Sequence, residues 1–172
     1  MIAVFAPGQG AQAPGMLAPW LELPGVEDRV ARLAEAAGLD LLRLGTTADA
    51  DEIKDTAVAQ PLLVTAGVLA ADALDLHTGE ERVVAGHSVG EITAAAVSGA
   101  LDAEQAVAFA ARRGREMAAA CAVEPTGMVA VLGGDADVVT AAIEAAGLAA
   151  ANRNAAGQIV AAGAPAALEA FA

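Results

Sequence analysis

A serine between two glycines is the residue whose setting most suggests covalent chemistry. Gly86, Ser88 and Gly90 form the pattern G-x-S-x-G, between an apolar run and a helix-forming run. Because glycine carries no side chain, a serine held in such a sharp strand-to-helix turn stands clear of its neighbours. The N–H of Val89 would lie at the helix N-terminus, where unpaired donors and the helix dipole favour an oxyanion. The pattern predicts an acyl-transfer nucleophile, although a plain turn between a strand and a helix fits the same short run.

An arginine on a predicted helix is the second candidate. Asp102 and Gln105 have the spacing of a helix-capping pair, and the helix that they open runs to about Ala122. At about 100° per residue, Arg113 falls on the apolar stripe of this helix, which passes through Ala106, Ala110 and Met117. An inward-facing arginine needs a partner. A substrate carboxylate gripped by the guanidinium would provide one, but a salt bridge to a distant Asp or Glu is favoured by spacing alone.

Two glutamines lie where a ligand could meet them. Gln9 follows the apolar run Ile2–Ala6, which predicts a buried parallel strand covered on both faces, and ligands of open α/β sheets bind beyond the ends of such strands. Gln60 lies near the start of an apolar helix that Asp55 or Thr56 can cap, with Pro61 expected near its first turn. The alternative for Gln9 is a surface turn, which its position just beyond a buried strand argues against. For Gln60, a plain capping role and a ligand-facing role fit the sequence equally well.

Alternating strand and helix signals predict the scaffold of these residues. An amphipathic helix begins at Val26 and is closed by Gly38, short polar pieces occupy 39–57, and a buried helix runs through 62–74. Residues 75–81 are a polar connector, in which His77 is interpreted as a solvated loop histidine. The strand before Ser88 and the two helices after it complete this part of the chain.

The pattern changes after residue 126. Strands are predicted at 127–133, 148–151 and 158–162, helices follow Asp135 and Pro165, and residues 152–157 are expected to form the loop between the last two strands. This β-α-β-β-α order lacks only the final strand of a split β-α-β-β-α-β unit. The organisation therefore suggests a chain that stops in mid-fold.

Composition limits the classes of function. The chain has 172 residues and a net charge of −13, which argues against nucleic acid or an anionic membrane as a partner. Its only cysteine, Cys121, excludes a disulfide framework and fits a reducing, cytoplasmic compartment. Histidines and cysteines are too few for a structural zinc site, so no metal is expected. The apolar run at residues 1–6 is too short for a secretory leader and carries no basic flank. No apolar run approaches the ~20 residues that span a bilayer, so we expect neither a leader nor a membrane span in these residues.

Taken together, the motifs resemble a known family. Malonyl-CoA:acyl carrier protein transacylases, from the acyltransferase family of fatty-acid and polyketide synthesis, carry similar motifs in the same order, namely Pro7-Gly8-Gln9-Gly10-Ala11-Gln12, Gln60-Pro61, Gly86-His87-Ser88-Val89-Gly90-Glu91, Arg113-Gly114 and Asn154-Ala155-Ala156-Gly157-Gln158. The resemblance implies an α/β fold with an α/β-hydrolase-like parallel-sheet core at 1–123. It also implies a ferredoxin-like small subdomain, incomplete here, at 124–172.

The resemblance also implies roles for the individual residues. Ser88 would take the malonyl group as an ester, and the backbone N–H groups of Gln9 and Val89 would form the oxyanion hole. Arg113 would hold the free carboxylate of malonyl, with Gln60 supporting the site through hydrogen bonds.

Two further positions follow from the same motifs. Asn154 would approach the site from the small subdomain. His87 would be structural rather than a base.

The implied reaction needs no permanently bound cofactor. Malonyl-CoA would be the substrate, and the phosphopantetheine thiol of an acyl carrier protein would accept the malonyl group.

One family feature has no match in these residues. Family members carry a Gly-Ala-Phe-His-Ser-like segment whose histidine activates the serine, and neither His77 nor His87 occupies that place. A serine without an adjacent base is a weak nucleophile. Two hypotheses follow: an enzyme whose base comes from a complementing C-terminal chain or from sequence beyond residues 1–172, or an impaired fragment that acts only as a binding or complementing half. A generic serine esterase would leave Gln9, Gln60 and Arg113 unexplained.

Overall fold

The computed structural model describes residues 1–76, 81–155 and 157–172. They form two compact units, Met1–Ala119 and Ala120–Ala172, whereas the sequence suggested a division after residue 123. The connector histidine His77 and Ala156 of the Asn154–Gln158 motif lie outside the described residues.

The first unit alternates strands and helices, as expected of an α/β chain. Its regular elements are β1 (Ile2–Ala6), α1 (Val26–Ala37), α2 (Leu41–Thr46), α3 (Thr56–Ala73), β2 (Arg82–Gly86), α4 (Gly90–Val97) and most of α5 (Ala103–Val123), with 3-10 turns at Ala18–Glu22 and Glu52–Lys54. The predicted capping pair forms at the start of α5, where the N–H of Gln105 donates to Asp102 Oδ1 at 2.7 Å and the N–H of Asp102 donates to Gln105 Oε1 at 3.1 Å.

Strands β1 and β2 pair in parallel, from Ile2 opposite Arg82 to Ala6 opposite Gly86. Helix α4 packs against both strands. The opposite face, formed by Ala3, Phe5, Val83 and Ala85, is exposed, and Phe5 retains 77% of its accessible surface. The expectation that β1 is covered on both faces is therefore wrong for the described residues, in which the side chains of this face are exposed.

Helix α3 forms the centre of the larger core. Ten of its residues are buried, among them Leu62, Val64 and Val68, as its nearly uniform apolar sequence predicts. Among the described residues it is the one helix long and apolar enough, by length and composition, to cross a membrane, but the core helices of folded domains pass the same test. Asp55 caps it by accepting a hydrogen bond from the N–H of Ala57 at 2.7 Å.

Two local predictions in this unit are wrong. Residues 41–46 form helix α2 rather than a polar connection, because Leu41 and Leu44 enter the core and Asp40 caps the helix through the N–H of Arg43. Pro61 lies inside α3 rather than near its first turn. Because proline has no N–H, the carbonyl of Ala57 has no helical donor at that position.

The second unit is a three-stranded antiparallel sheet with two helices. Its elements follow the predicted order, β3 (Gly127–Leu132), α6 (Ala136–Ala145), β4 (Ala149–Ala155), β5 (Gln158–Gly163) and α7 (Pro165–Phe171), and the strands lie in the order β3-β5-β4. Its core contains Ile143, Leu148, Ile159, Ala161 and Leu168.

Strand β4 is longer than predicted. Residues 152–155 continue the strand instead of forming a loop, because they pair with β5 through two irregularities in the register. Asp135 caps α6 as expected, but Val138 of that helix is exposed, whereas its spacing predicted a buried position.

Candidate active site

Ser88 lies at a tight turn between β2 and α4, as predicted. Its φ of 54° is in the left-handed region, which costs about 1–2 kcal/mol for a residue other than glycine. Side chains at the two flanking glycines would overlap the backbone. A Cβ at Gly86 would strike Gly90 and Glu91, and one at Gly90 would lie 2.7 Å from the carbonyl oxygen of Pro7 and closer still to that of Ala6. The glycines therefore permit the turn, and Ser88 remains exposed.

The loop after β1 lies beside this turn. The N–H of His87 donates to the carbonyl of Ala6 at 3.0 Å, and the imidazole of His87 lies against Gly8. Gln9 is joined to the start of α3, because its Nε2 donates to Thr56 Oγ1 at 3.0 Å. The backbone N–H groups of Gln9 and Val89 have no bonded acceptor among the described residues. Each of these two predicted oxyanion donors follows the carboxyl end of a paired strand, Gln9 after β1 and Val89 after β2.

Arg113 reaches both Gln60 and Ser88. Its Nη1 donates to Gln60 Oε1 at 2.6 Å, and its Nη2 donates to Ser88 Oγ at 3.3 Å. Arg113 is half-buried, and no described Asp or Glu forms an ion pair with it. The alternative that spacing favoured, a salt bridge to a distant carboxylate, is not observed in the described residues.

A glycine allows this approach of Arg113. Gly114 faces the first turn of α3, where a Cβ would lie 2.6 Å from the carbonyl oxygen of Thr56 and 3.0 Å from the Cα of Ala57. The close packing of α5 on α3 brings Arg113 to Gln60, which lies one turn further along α3. The adjacent pair Arg113-Gly114 thus supplies both the charged group and the space that it needs.

Gln60 is only 1% exposed, and both ends of its amide are bonded. Its Nε2 donates to the sulfur of Met117 at 3.2 Å. The helical period placed Met117 on the buried stripe of α5, but the structure leaves it 39% exposed. Sequence reasoning missed its contact with Gln60, and the available signal was its position one turn after Arg113.

A cavity of about 340 Å³ opens beside the serine. Its lining combines Ser88 and Arg113 with Glu91 and with apolar side chains that sequence reasoning did not select, namely Ile92, Ala95, Leu101 and Phe109. A hydroxyl and a guanidinium thus share one cavity, in which a small acyl group that carries a carboxylate could be held.

Asn154 lies in β4 of the second unit. Its Nδ2 donates to Gln158 Oε1 at 2.9 Å, and it lines a cavity of about 260 Å³ within that unit, with Gly133, Gly134, Ala136, Arg153, Gly157 and Ile159. Its predicted approach to the serine stays a prediction.

Comparison with known proteins now assigns the family. Residues 4–172 match the family described as the acyl transferase domain. The chain belongs to this family. It is 60% identical over 172 residues to the malonyl CoA-acyl carrier protein transacylase of Mycobacterium tuberculosis, a match that covers 98% of this chain and 57% of that protein. It therefore spans little more than half the length of such relatives.

Solved structures of family members agree with the observed fold. The crystal structure of MCAT from Mycobacterium tuberculosis superposes with a TM-score of 0.94 at 59% identity, over 99% of this chain and 58% of the other. A second match is to a chain of PlMCAT:AntF, the structure of a type II PKS acyl-carrier protein in complex with its malonyl-transacylase. Its TM-score is 0.86 at 30% identity, over 99% of this chain and 57% of that one. These matches confirm the predicted resemblance, acyltransferase family and α/β fold class.

Proposed function

We propose that this chain carries the nucleophile of a malonyl transfer from malonyl-CoA to the phosphopantetheine thiol of an acyl carrier protein, in the cytoplasmic synthesis of fatty acids or polyketides. The observation that carries the proposal is the 3.3 Å contact between Arg113 Nη2 and Ser88 Oγ. A guanidinium beside an exposed serine can bind a carboxylate while the hydroxyl attacks the thioester carbonyl of the same short acyl group.

The proposed reaction has two transfers. In the first, Ser88 Oγ bonds to the malonyl carbonyl carbon, the bond to the coenzyme A sulfur breaks, and the hydroxyl proton leaves through a base to the departing thiolate. In the second, the carrier sulfur bonds to the ester carbonyl carbon, the bond from that carbon to Ser88 Oγ breaks, and the proton of the carrier thiol passes through the base to Ser88 Oγ. The N–H groups of Gln9 and Val89 stabilise the oxyanion in both steps.

The base is proposed to come from elsewhere. The family resemblance assigns it to a histidine in a segment that residues 1–172 do not match, so we propose that sequence beyond these residues, in the same polypeptide or in a complementing C-terminal one, supplies it. Without any base, the oxyanion hole and binding leave a residual catalysis of about 10³–10⁴-fold over water in comparable triads. Labelling of Ser88 by this chain alone should therefore be slow but measurable.

Covalent labelling tests the proposal. The chain is incubated with radiolabelled malonyl-CoA, digested, and the modified peptide is identified by mass spectrometry. We expect malonyl on Ser88 and none in Ser88→Ala, with Ser98→Ala as a matched control because Ser98 lies at the far end of α4. Absence of label from the wild type, or equal label in Ser88→Ala, would contradict the proposal.

A second candidate function is that of a complementing half without activity of its own. It is favoured by the open apolar face of β1 and β2, where Phe5 and Val83 are 77% and 56% exposed. Parallel sheets are normally covered on both faces. Mixing the chain with the remaining part of the Mycobacterium tuberculosis relative should then slow amide hydrogen exchange in both strands. Unchanged exchange would eliminate this candidate.

A further inference from the structure

The Gln60 amide lies between two partners of opposite hydrogen-bonding character. On one side the Arg113 guanidinium donates to Oε1 at 2.6 Å, and on the other Nε2 donates to the Met117 sulfur at 3.2 Å. The amide is 1% exposed, so water does not compete for either end. The orientation of this one group therefore depends on these two neighbours.

These partners permit only one orientation of the amide. A guanidinium can only donate hydrogen bonds, and a thioether can only accept them. If the amide turned over, its NH₂ would face the guanidinium and its oxygen would face the sulfur, so both hydrogen bonds would be lost. Such a loss inside a protein is unfavourable because the buried groups then have no partner.

The orientation of Gln60 also affects Ser88. Arg113 uses Nη1 for Gln60 and Nη2 for Ser88 Oγ, so the amide oxygen holds one side of the planar guanidinium while the other side faces the serine. Met117 lies four residues after Arg113 on α5, which places the two side chains on neighbouring positions of one helix face. One turn of α5 thus supplies both partners of the buried amide.

We propose that Met117 is a positioning residue, which orients the Gln60 amide and so holds Arg113 ready for the carboxylate of the acyl substrate. This inference rests on the proposed function. It extends the proposal by placing part of the preference for a carboxylated acyl group in a thioether whose hydrogen-bond partner is Gln60 and not the serine. An acetyl group has no carboxylate for the guanidinium to bind, so acetyl transfer should change much less than malonyl transfer.

The test compares malonyl and acetyl labelling of Ser88 in three variants of the full chain. Met117→Leu keeps the apolar volume and removes the acceptor, a change of shape that cores tolerate well. Its malonyl-to-acetyl rate ratio should fall about two- to threefold, the lower end of what one net hydrogen bond contributes, because a thioether is a weak acceptor. Met117→Gln restores an acceptor and should restore the ratio. Met128→Leu, in strand β3 of the second unit, is the matched control and should leave the ratio unchanged.

The outcomes separate this inference from the proposed function. If the malonyl-to-acetyl ratio in Met117→Leu equals that of the wild type, whether neither rate falls or both fall equally, the role of Met117 is overturned. If the wild type takes no label at all, the proposed function fails, and the inference is judged by NMR on the Gln60 side-chain amide, identified by its loss in Gln60→Asn. Its protons should exchange faster in Met117→Leu than in the wild type and Met128→Leu. Identical exchange in all three would contradict the proposed hydrogen bond.

Discussion

The close approach of α5 to α3 at Gly114 can be tested with one methyl group. In Gly114→Ala the new Cβ would lie 2.6 Å from the Thr56 carbonyl oxygen and 3.0 Å from the Ala57 Cα. Both are backbone atoms, so the two helices must move apart. Overpacking of this kind costs about 1–3 kcal/mol, and alanine recovers up to about 1 kcal/mol of helix propensity. We expect a net loss of about 1–2 kcal/mol in the free energy of unfolding.

Gly67→Ala in α3 is the matched control. Its Cβ would lie 2.5 Å from Cγ2 of Thr93, which is a buried side-chain atom and can yield more than the backbone that Gly114 faces, so we expect a smaller loss of stability than in Gly114→Ala. Urea unfolding of both variants measures the difference. Gly114→Ala should also slow malonyl labelling of Ser88, since displacement of α5 moves Arg113 away from Gln60. Equal stability of the two variants would refute the reasoning.

Three further predictions concern single side chains. In urea unfolding, Ser88→Gly should be about 0.5–1 kcal/mol more stable than Ser88→Ala. Glycine adopts φ 54° without strain, and the greater entropy of its unfolded chain cancels only part of that gain. A less stable glycine variant would show that the turn is unstrained. Thr65→Val should stabilise the chain by about 1 kcal/mol in thermal unfolding, since the buried Thr65 hydroxyl has no hydrogen-bond partner among the residues that the structure describes, and a destabilised variant would contradict this absence of a partner. The hydrogen bond from Arg43 lowers the pKa of the Glu52 carboxyl. The ion pair therefore stabilises the folded chain fully above the ordinary glutamate pKa of about 4.3, and this contribution is lost as the pH falls through the lowered pKa. Glu52→Gln should therefore lower stability at pH 7 and have little effect at pH 2, and an equal effect at both would exclude this ion pair as the cause.

Local sequence signals were sufficient where local geometry decides the structure. The turn at Ser88 was predictable because two glycines and a short apolar strand specify it within five residues. The capping pair of Asp102 and Gln105 was predictable for the same reason, since its bonds span three residues.

Signals failed where distant packing decides the structure. Helical periodicity placed Arg113 on the inner side of α5, but its partner Gln60 lies 53 residues away, and spacing alone favoured a carboxylate. Helix α2 was missed because six residues are too few to show a periodic apolar stripe. The burial of Leu41 and Leu44 in the core stabilises this helix, and that packing is not visible in the local sequence. The open face of β1 could not be deduced either, because an apolar run indicates that a strand needs cover and does not identify the element that covers it.

The relation between Arg113 and Ser88 is tested most directly by substrate discrimination. Malonyl-CoA and acetyl-CoA differ in the terminal carboxylate, and the rate at which each labels Ser88 is measured in the wild type and in Arg113→Ala. Loss of charged hydrogen bonds at this half-buried site should slow malonyl labelling about ten- to hundredfold and leave acetyl labelling within about threefold of the wild type. An equal loss for both acyl groups would contradict the account.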